Sequence, residues 1–380
     1  MAITRAFKNA VHQRRSKTPL VVNGDMAVAQ RGTDAVTGLG DGDEGYVIHD
    51  RMRHTITAGA GRYTCKQTAD APTDSGFDKC LELDCTTADT SIAATEEFNL
   101  DYRIEGHDVQ HLKYGTSDAE YLTVGFWMKA DAAIVYSVGF IEVDNSRSIR
   151  QVFTTGTDWT YHCIPFIGDT VSGPNDDFGE GMRLRFIFHG GSNLTSGTLA
   201  TSWESTTAAN FHVGGGSFFA STSRSIKMTG LQLERGYFTA ETMPPFQHES
   251  HTENLARCQR YFISHAIADG TRLGDGIFRS TTRAVGNVDN TGLLHNMRTT
   301  PAVATTITGF AIYHGADVTT NVGATSGTGF AMNGRHEVRT DFTFGSGSTT
   351  AGLPGKLRAN SAGVMPVSYT HLTLPTTPYV

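Results

Sequence analysis

The stretch Tyr121–Lys129 constrains the fold more than any other part of the chain, because its residues alternate with a period of two. Val124, Phe126 and Met128 fall on one side of an extended segment, and Trp127 falls on the other. That period matches a β-strand, in which successive side chains point to opposite faces. Aromatic and β-branched residues also suit a pleated, half-buried surface. The pattern therefore predicts a central strand with Phe126 facing a core.

Composition extends this prediction to the whole chain. The 380 residues include 42 glycines and 11 prolines, and charged residues make up 18%. Such a chain favours short strands joined by turns, in two or three domains of ~100–200 residues each. Other strands are predicted at Leu20–Val22, Tyr46–Ile56, Tyr63–Thr68, 80–87, Phe98–Glu105, Ile134–Val143, Arg147–Phe153, Trp159–Phe166, Met182–His189 and Ser225–Glu234. Met182–His189 alternates as a strand with one buried face does. The predicted fold class is all-β, with antiparallel sheets.

A short helix is predicted to separate two β-domains. Ser250 and Glu253 have the spacing of a capping box, and apolar residues follow at helical intervals as far as Phe262. Beyond the helix, strand-like runs again alternate with Gly, Asp and Thr clusters. The predicted organisation is a flexible arm at 1–18, a β-sandwich at 19–247, a helical junction at 248–263 and a second small β-domain at 264–366.

Four segments carry a resemblance to a known family. They read LVVNGDMAVAQRGT, RIEGHDVQHLKYGTSDAEYLTVGFWMKA, TGLQLERGYFTAETMPPFQHES and ENLARCQRYF, and they span about residues 20–262. In this order they resemble a β-sandwich module of tail fibres and other virion proteins of tailed bacteriophages. That module is similar in shape to carbohydrate-binding jelly rolls. A further segment, LLHNMRTTPAVAT, resembles the small β-domain that follows the helix in related tail-fibre proteins.

The resemblance implies a jelly-roll sandwich with a structural role in the phage tail, contributing to attachment to a host surface or glycan. It implies assembly in the host bacterial cytoplasm, other virion proteins as partners, and a homotrimer. The alternatives are a secreted carbohydrate-binding protein of a cell and a polysaccharide-degrading enzyme. The N-terminal segment has basic residues but no apolar core of a secretory signal, which argues against the first alternative.

The end of the sequence has a different origin. Residues Val367–Thr376 read VSYTHLTLPT, which matches the translation of a transposase-type sequencing adapter at every position. We interpret 367–380 as a translated adapter and expect the natural gene to continue beyond Pro366. Segments of this kind are excluded from fold reasoning. We expect them to have no regular structure and to pack against nothing.

Charge and cysteine usage exclude several classes of partner and site. The net charge of −7 offers no electrostatic basis for nucleic acid as the main partner. The sequence has no apolar run of ~18 residues, so no transmembrane helix is predicted. The five cysteines form no C-x-x-C pair, and we interpret them as small buried hydrophobic residues of a protein made in a reducing compartment. No cofactor and no metal site is predicted.

Catalytic motifs are absent from the sequence. It has no G-x-S-x-G elbow, no P-loop and no H-E-x-x-H. Gly40, Gly42 and Gly45 have dinucleotide-loop spacing, but the carboxylates between them would repel a pyrophosphate. A calcium loop fits slightly better, but the segment lacks the full ligand spacing of a known calcium loop. His107 and His111 would need further ligands to hold a metal. The protein is therefore predicted to be no enzyme.

A glycosidase would need two opposed carboxylates, for which the loop with Asp176, Asp177 and Glu180 is the candidate. Carbohydrate binding fits the predicted fold better, because sugars stack on aromatic faces beside a few polar groups. The candidate ligand-binding residues are Trp159, Tyr161, Trp203, Asn175 and Asp176. The alternative is that Trp159 and Trp127 are aromatic residues of the core or its rim.

Overall fold

A computed structural model describes residues 19–57 and 59–262 in full, and beyond them the backbone of the strands given below. The predicted arm at 1–18 lies outside the described residues. The chain divides into two compact units, and the division falls between Asn254 and Leu255.

The first unit is built from short strands. They are β1 (Val36–Leu39), β2 (Gly45–Tyr46), β3 (Met52–Thr57), β4 (Arg62–Thr68), β5 (Cys80–Thr87), β6 (Glu97–Glu105), β7 (Leu122–Ala130), β8 (Val135–Glu142), β9 (Arg147–Thr154), β10 (Thr160–Phe166), β11 (Glu180–Gly190), β12 (Glu204–Ser205) and β13 (Ser225–Arg235). Its helices are α1 (Gly106–Val109) and α2 (Ser192–Thr195), with 3-10 turns at Gln110–Leu112, Ala208–Asn210 and Phe218–Ala220, and the division between the units falls within α3 (His251–Gln259). No helix among the described residues is long and apolar enough to cross a membrane.

Two antiparallel sheets form a sandwich. The six-stranded sheet has the order β1-β4-β5-β13-β7-β10, and the seven-stranded sheet has the order β12-β9-β8-β11-β6-β3-β2. Buried apolar side chains from both sheets form one continuous core cluster. The predicted all-β antiparallel class is confirmed.

Strand β7 has the predicted register. Val124, Phe126 and Met128 have no exposed surface and belong to the core, whereas Trp127 on the other face is half-buried. The Phe126 ring meets Phe153 and Phe186 edge-on, with centroids 5.2 and 5.0 Å apart. These contacts follow from the alternation in the sequence, because a period of two leaves one face to the core.

The prediction of a single buried face on β11 is wrong. Arg185 and Ile187 point away from the core and are nevertheless buried. The Arg185 guanidinium donates to both carboxylate oxygens of Asp101 on β6, at 2.7 and 2.8 Å. A paired charge can be buried, so this polar residue does not mark a solvent face.

The predicted strand at Leu20–Val22 is also wrong, since these residues form bends. The backbone N–H of Val22 donates to the Tyr102 hydroxyl at 2.7 Å, so it is not available to a strand ladder. The turn predicted at Asn23–Asp25 is confirmed, because Met26 N donates to Asn23 O at 3.1 Å.

Strand β13 contains a bulge that explains its irregular pattern. Its pairing with β7 shifts between Thr229 and Gln232, and Gly230 has φ +64°. The inserted residue reverses the parity of the strand, so Met228 before it and Leu231 after it both reach the core. A bulge in this conformation favours glycine, because a side chain at positive φ is strained.

Three of the four family-like segments meet at the Asn23–Asp25 turn. Asn23 N donates to Asn254 Oδ1 at 3.0 Å, and Asn254 Nδ2 donates to Asp25 Oδ1 at 3.0 Å. Leu231 N, in the bulge, donates to Gly24 O at 2.9 Å. The turn, the bulge and the start of α3 thus form one hydrogen-bonded junction, which we call the NGD junction.

The helix start has the predicted capping box. Glu253 N donates to Ser250 Oγ at 3.3 Å, and Ser250 N donates to Glu253 Oε2 at 3.2 Å. The reciprocal bonds satisfy two backbone groups that a helix N-terminus leaves unpaired.

The second unit is also β-rich. Its strands are β14 (Phe262–Ile263), β15 (Ala266–Ile267), β16 (Arg272–Ser280), β17 (Arg283–Val288), β18 (Ala302–Val303), β19 (Phe310–His314), β20 (Val318–Asn321), β21 (Phe330–Met332), β22 (Val338–Thr343), β23 (Pro354–Ala359), β24 (Gly363–Val364) and β25 (Ser368–Tyr369). One sheet has the order β20-β19-β23-β16-β17-β22-β21. The expectation that 367–380 has no regular structure is wrong for β25, which pairs with β14 and β18.

Candidate functional site

Trp159 lies immediately before β10 and is half-buried. Its Nε1 donates to Asp70 Oδ1 at 3.4 Å. Asp70 also accepts from Lys227 at 2.5 Å and from Lys129 at 3.3 Å. The hydrogen bond from Lys227, helped by those from Trp159 and Lys129, lowers the pKa of Asp70 to about 2. Trp159 therefore borders a charged cluster on the outer face of the six-stranded sheet.

Tyr161 lies farther along the same face and is covered. Its ring packs against Trp127 at 5.3 Å, and its hydroxyl accepts from Gln232 Nε2 at 2.9 Å. Residues 236–248, which we call the strap, cross this face, and Pro244 O accepts from the same Gln232 nitrogen at 3.3 Å. Burial raises the pKa of Tyr161 to about 12. The hydroxyl is already used inside the protein.

Trp203, Asn175 and Asp176 lie at the opposite end of the sandwich from Trp159. Trp203 Nε1 donates to Ile167 O at 2.6 Å. Ile167 follows Trp159 by eight residues along an extended strand, which corresponds to ~26 Å at 3.3 Å per residue. The five predicted residues therefore divide into two groups that cannot contact one small ligand together.

The end that carries Trp203 is built from two segments, 106–121 and 167–179, which we call the loop end. Their backbones pair directly: His107 N donates to Asp177 O at 2.8 Å, and Gly115 N donates to Asp169 O at 2.8 Å. A side chain at Gly106 would clash with the carbonyl oxygen of Asn175. Close backbone approach and these hydrogen bonds hold the two segments together in one arrangement.

Trp203 is fixed from several sides. Its ring meets Tyr114 edge-on at 5.7 Å, and its carbonyl oxygen accepts from Arg147 Nη2 at 3.2 Å. Arg147 also forms an ion pair with the buried carboxylate of Asp169, which lies in the loop. Trp203 is half-buried, so part of its surface supports the loop end and part remains accessible.

Asn175 and Asp176 are both exposed. Asp176 Oδ1 lies 2.7 Å from His107 Nδ1, and the His107 ring lies 5.7 Å from that of Phe178. Phe178 is 48% exposed. Asn175 N donates to Asp144 Oδ2 at 2.9 Å, which ties the loop to the β8–β9 hairpin. The loop end thus places an aromatic face beside a carboxylate and an imidazole.

An exposed tyrosine pair at the loop end was missed by sequence reasoning. Tyr121 and Tyr237 are 36% and 62% exposed, and their rings meet edge-on at 5.5 Å. Gly236 N donates to Tyr121 O at 2.7 Å. Tyr121 precedes β7 and Tyr237 follows β13, and these strands pair so that Leu122 lies opposite Arg235. Only the strand pairing brings the tyrosines together, so neither residue stands out in the sequence.

The acidic residues of the loop are already engaged. Asp177 Oδ1 accepts from Gly179 N at 2.7 Å, and Glu180 accepts from Arg183 Nε at 2.5 Å. Glu180 also lies 3.4 Å from Arg103. Within the described part of the chain, no group of three or more His, Cys, Asp or Glu residues is arranged to hold a metal ion. The chemistry that the loop end offers is aromatic stacking with nearby hydrogen-bonding groups.

No protein-family model matches the chain. No curated protein matches it either. Among solved structures, the chain is similar to an enzymatically active domain of tailspike protein 4 of bacteriophage CBA120, with 13% identity and a TM-score of 0.28. That match covers 57% of this chain and 21% of the other, so the chain spans about a fifth of the tailspike domain.

Two other similar structures are carbohydrate-binding modules. One is a family 61 module in complex with β-1,4-galactotriose, at 9% identity and a TM-score of 0.28, covering 58% of this chain and 99% of that chain. The other is a family 11 module of a Clostridium thermocellum cellulase, at 12% identity and a TM-score of 0.27. That match covers 55% of this chain and 99% of the module.

Proposed function

We propose that this protein is a structural protein of a tailed-phage virion that attaches to cell-surface glycans through the loop end of its sandwich. The observation that carries the binding proposal is the exposed Tyr121–Tyr237 pair on a hydrogen-bonded loop frame. Phe178 and Trp203 are further partly exposed aromatic residues of the loop end, and the exposed Asp176 is a hydrogen-bond acceptor there.

Sugar rings present apolar faces and a rim of hydroxyl groups. Aromatic side chains match the faces, and a few fixed polar groups select the hydroxyl pattern. Because the loop segments are tied by backbone hydrogen bonds, little ordering would accompany binding, which favours affinity. These features support the loop end over the Trp159 face, where the strap covers Tyr161.

The virion role is supported by the four family-like segments of the sequence, three of which form the NGD junction. We propose a homotrimer that contacts other virion proteins and binds glycan without hydrolysing it. A single site of this kind would bind weakly, and three linked sites would raise the effective affinity by ~10²–10⁴.

A glycan array tests the site. The double variant Tyr121→Ala, Tyr237→Ala should lose about tenfold or more in affinity, since aromatic contacts contribute ~0.5–1.5 kcal/mol each. Trp159→Ala is the matched control, because it removes an aromatic residue ~26 Å away along β10. Unchanged binding by the double variant, with loss in Trp159→Ala, would move the site to the sheet face.

The non-enzymatic part of the proposal has its own test. The purified protein is incubated with bacterial surface polysaccharide, and newly formed reducing ends are measured over time. We expect no release above the buffer control. Turnover that continues past one equivalent of protein would overturn a purely binding role.

A further inference from the structure

Arg150 on β9 is fully buried on the outer face of the seven-stranded sheet. It pairs with Gly139 on β8, and Gly139 pairs with Arg185 on β11. A Cβ atom at Gly139 would lie 2.8 Å from Arg150 Cδ. The arginine side chain therefore crosses over Gly139, and this position has room for glycine only.

The other arginines of this face have carboxylate partners. Arg185 forms a bidentate pair with Asp101, and Arg183 and Arg103 contact Glu180. Arg150 differs from them: within the described residues, no carboxylate lies within 4.0 Å of its guanidinium, and it takes part in no ion pair. Arg150 is thus a buried cation with no ion-pair partner among the described residues, because Asp101, the carboxylate that stabilises its charge from farther away, is paired with Arg185.

The contacts that Arg150 does make leave one edge of its guanidinium unused. Nη1 donates to Arg185 O at a long 3.4 Å, and the group lies 4.1 Å from the centroid of the Phe211 ring. Nε and Nη2 are buried and have no partner among the described residues. These two nitrogens share one edge of the group and form the parallel pair of donors that binds anions.

A second donor on the same face is also without a partner. Ser148 lies two residues before Arg150 on β9, so both side chains point to the same side of the sheet. Its Oγ is buried and makes no hydrogen bond with the described residues. Unpaired buried polar groups are rare in folded proteins, and an unpaired buried charge costs several kcal/mol.

We propose that the Nε and Nη2 edge of Arg150 holds a small monovalent inorganic anion, chloride under ordinary conditions, enclosed beneath Phe211. The anion supplies the missing countercharge. Arg150 N donates to Ala200 O, and Ala200 and Phe211 are 2% and 4% exposed. A site enclosed by buried residues favours a small anion over a larger organic one. Burial lowers the pKa of Arg150 to about 9. This value is still above neutral pH, so the guanidinium stays charged there.

Crystals of the full chain grown in bromide test the site without any substitution. We expect an anomalous bromide peak at hydrogen-bond distance from both Nε and Nη2 of Arg150. Water molecules at these nitrogens, with no anomalous signal, would overturn the proposal.

Thermal unfolding tests the same proposal in solution. At constant ionic strength, replacing gluconate by chloride should raise the melting temperature, because a ligand that binds only the folded state stabilises it. Arg150→Met keeps an apolar stem of similar length and should abolish the chloride dependence. Equal chloride dependence in both proteins would contradict the assignment, and if Arg150→Met does not fold, the bromide crystals decide alone.

Discussion

At the scale of single residues, Phe126 on β7 is the side chain whose loss we expect to destabilise the sandwich clearly. It is fully buried and touches Phe153 and Phe186. We expect Phe126→Ala to lower the free energy of unfolding by ~3–5 kcal/mol, through lost apolar contact and the cavity left behind. Urea denaturation gives the value. Phe178→Ala, at a 48% exposed site, is the control and should cost far less.

Buried histidines make the sandwich sensitive to acid. Burial lowers the pKa of His49 and His54 to about 3 and that of His212 to about 4, from 6.5. Below pH 6.5 the unfolded chain binds protons that the folded chain does not, so stability falls as the pH falls. Asp50 acts in the opposite sense, because burial raises its pKa to about 6 and the folded state gains its proton first.

Between neutral pH and pH 5, His111 and His162 act in the same sense as the three histidines, because burial also lowers their pKa values. Relative to neutral pH, each of the three histidines should lower the free energy of unfolding by ~2 kcal/mol at pH 5, and Asp50 should return ~1.4 kcal/mol, for a net loss of about 4.6 kcal/mol from these four groups. Urea denaturation at several pH values measures the slope. His54→Phe keeps the aromatic packing with Tyr63 and removes one titrating group, so its loss between neutral pH and pH 5 should be smaller by ~2 kcal/mol. An unchanged slope would contradict the assignment to His54.

Sequence reasoning succeeded for residues whose position depends on local periodicity. Phe126 was placed in the core because alternation within one strand determines its side. The Tyr121–Tyr237 pair could not be found in that way, because it depends on which strands pair. Likewise, Arg150 is buried by a distant loop that includes Phe211, and nothing next to it in sequence indicates this.

At the scale of elements, the β13 bulge depends on Gly230. It has φ +64°, and a Cβ there would lie 2.7 Å from Phe77 Cζ. We expect Gly230→Ala to destabilise by more than the ~1–2 kcal/mol of backbone strain alone. Gly214→Ala separates the two effects, because Gly214 has φ +72° but no atom within 4 Å of a Cβ. Equal losses in the two variants, measured by urea denaturation, would show that the Phe77 contact has no cost.

The NGD junction is an element-scale feature that side-chain patterns in the sequence did not explain. Leu20–Val22 is apolar and favours a strand, but the backbone N–H groups of Val22 and Asn23 donate to the side chains of Tyr102 and Asn254 instead. The Asn23 side chain donates to Val28 O and Asp50 O, both at 2.9 Å, and accepts from Val28 N at 2.8 Å. Propensity is a weak guide where side chains from distant segments supply the partners.

Asn23→Ala tests this junction. Val28 N and Asp50 O would lose the hydrogen bond from Asn23, and Val28 O would keep only Asp50 N at 3.2 Å, so we expect a loss of about 2 kcal/mol in the free energy of unfolding. Asn193→Ala, at an exposed site on α2, is the control and should stay within ~0.5 kcal/mol. A loss of similar size in both variants would mean that the hydrogen bonds of the NGD junction contribute little to the free energy of unfolding.

At the scale of the whole molecule, the proposed attachment role depends on several copies acting together. The chain has a mass of 41.0 kDa, so light scattering on a homotrimer should give about three times that value. Binding to a dense glycan surface should then be far tighter than binding to the same free sugar. A monomeric mass with equal affinity for both forms would remove the multivalent part of the proposal.

The NGD junction has a consequence for how such a domain can be used. Asn23 and Asn254 enclose more than two hundred residues, yet their atoms are only 3.0 Å apart. A domain whose entry and exit lie side by side can be spliced into a surface loop of another protein without stretching its host. Evolution, or an engineer, could therefore move the sandwich between carrier chains as one unit.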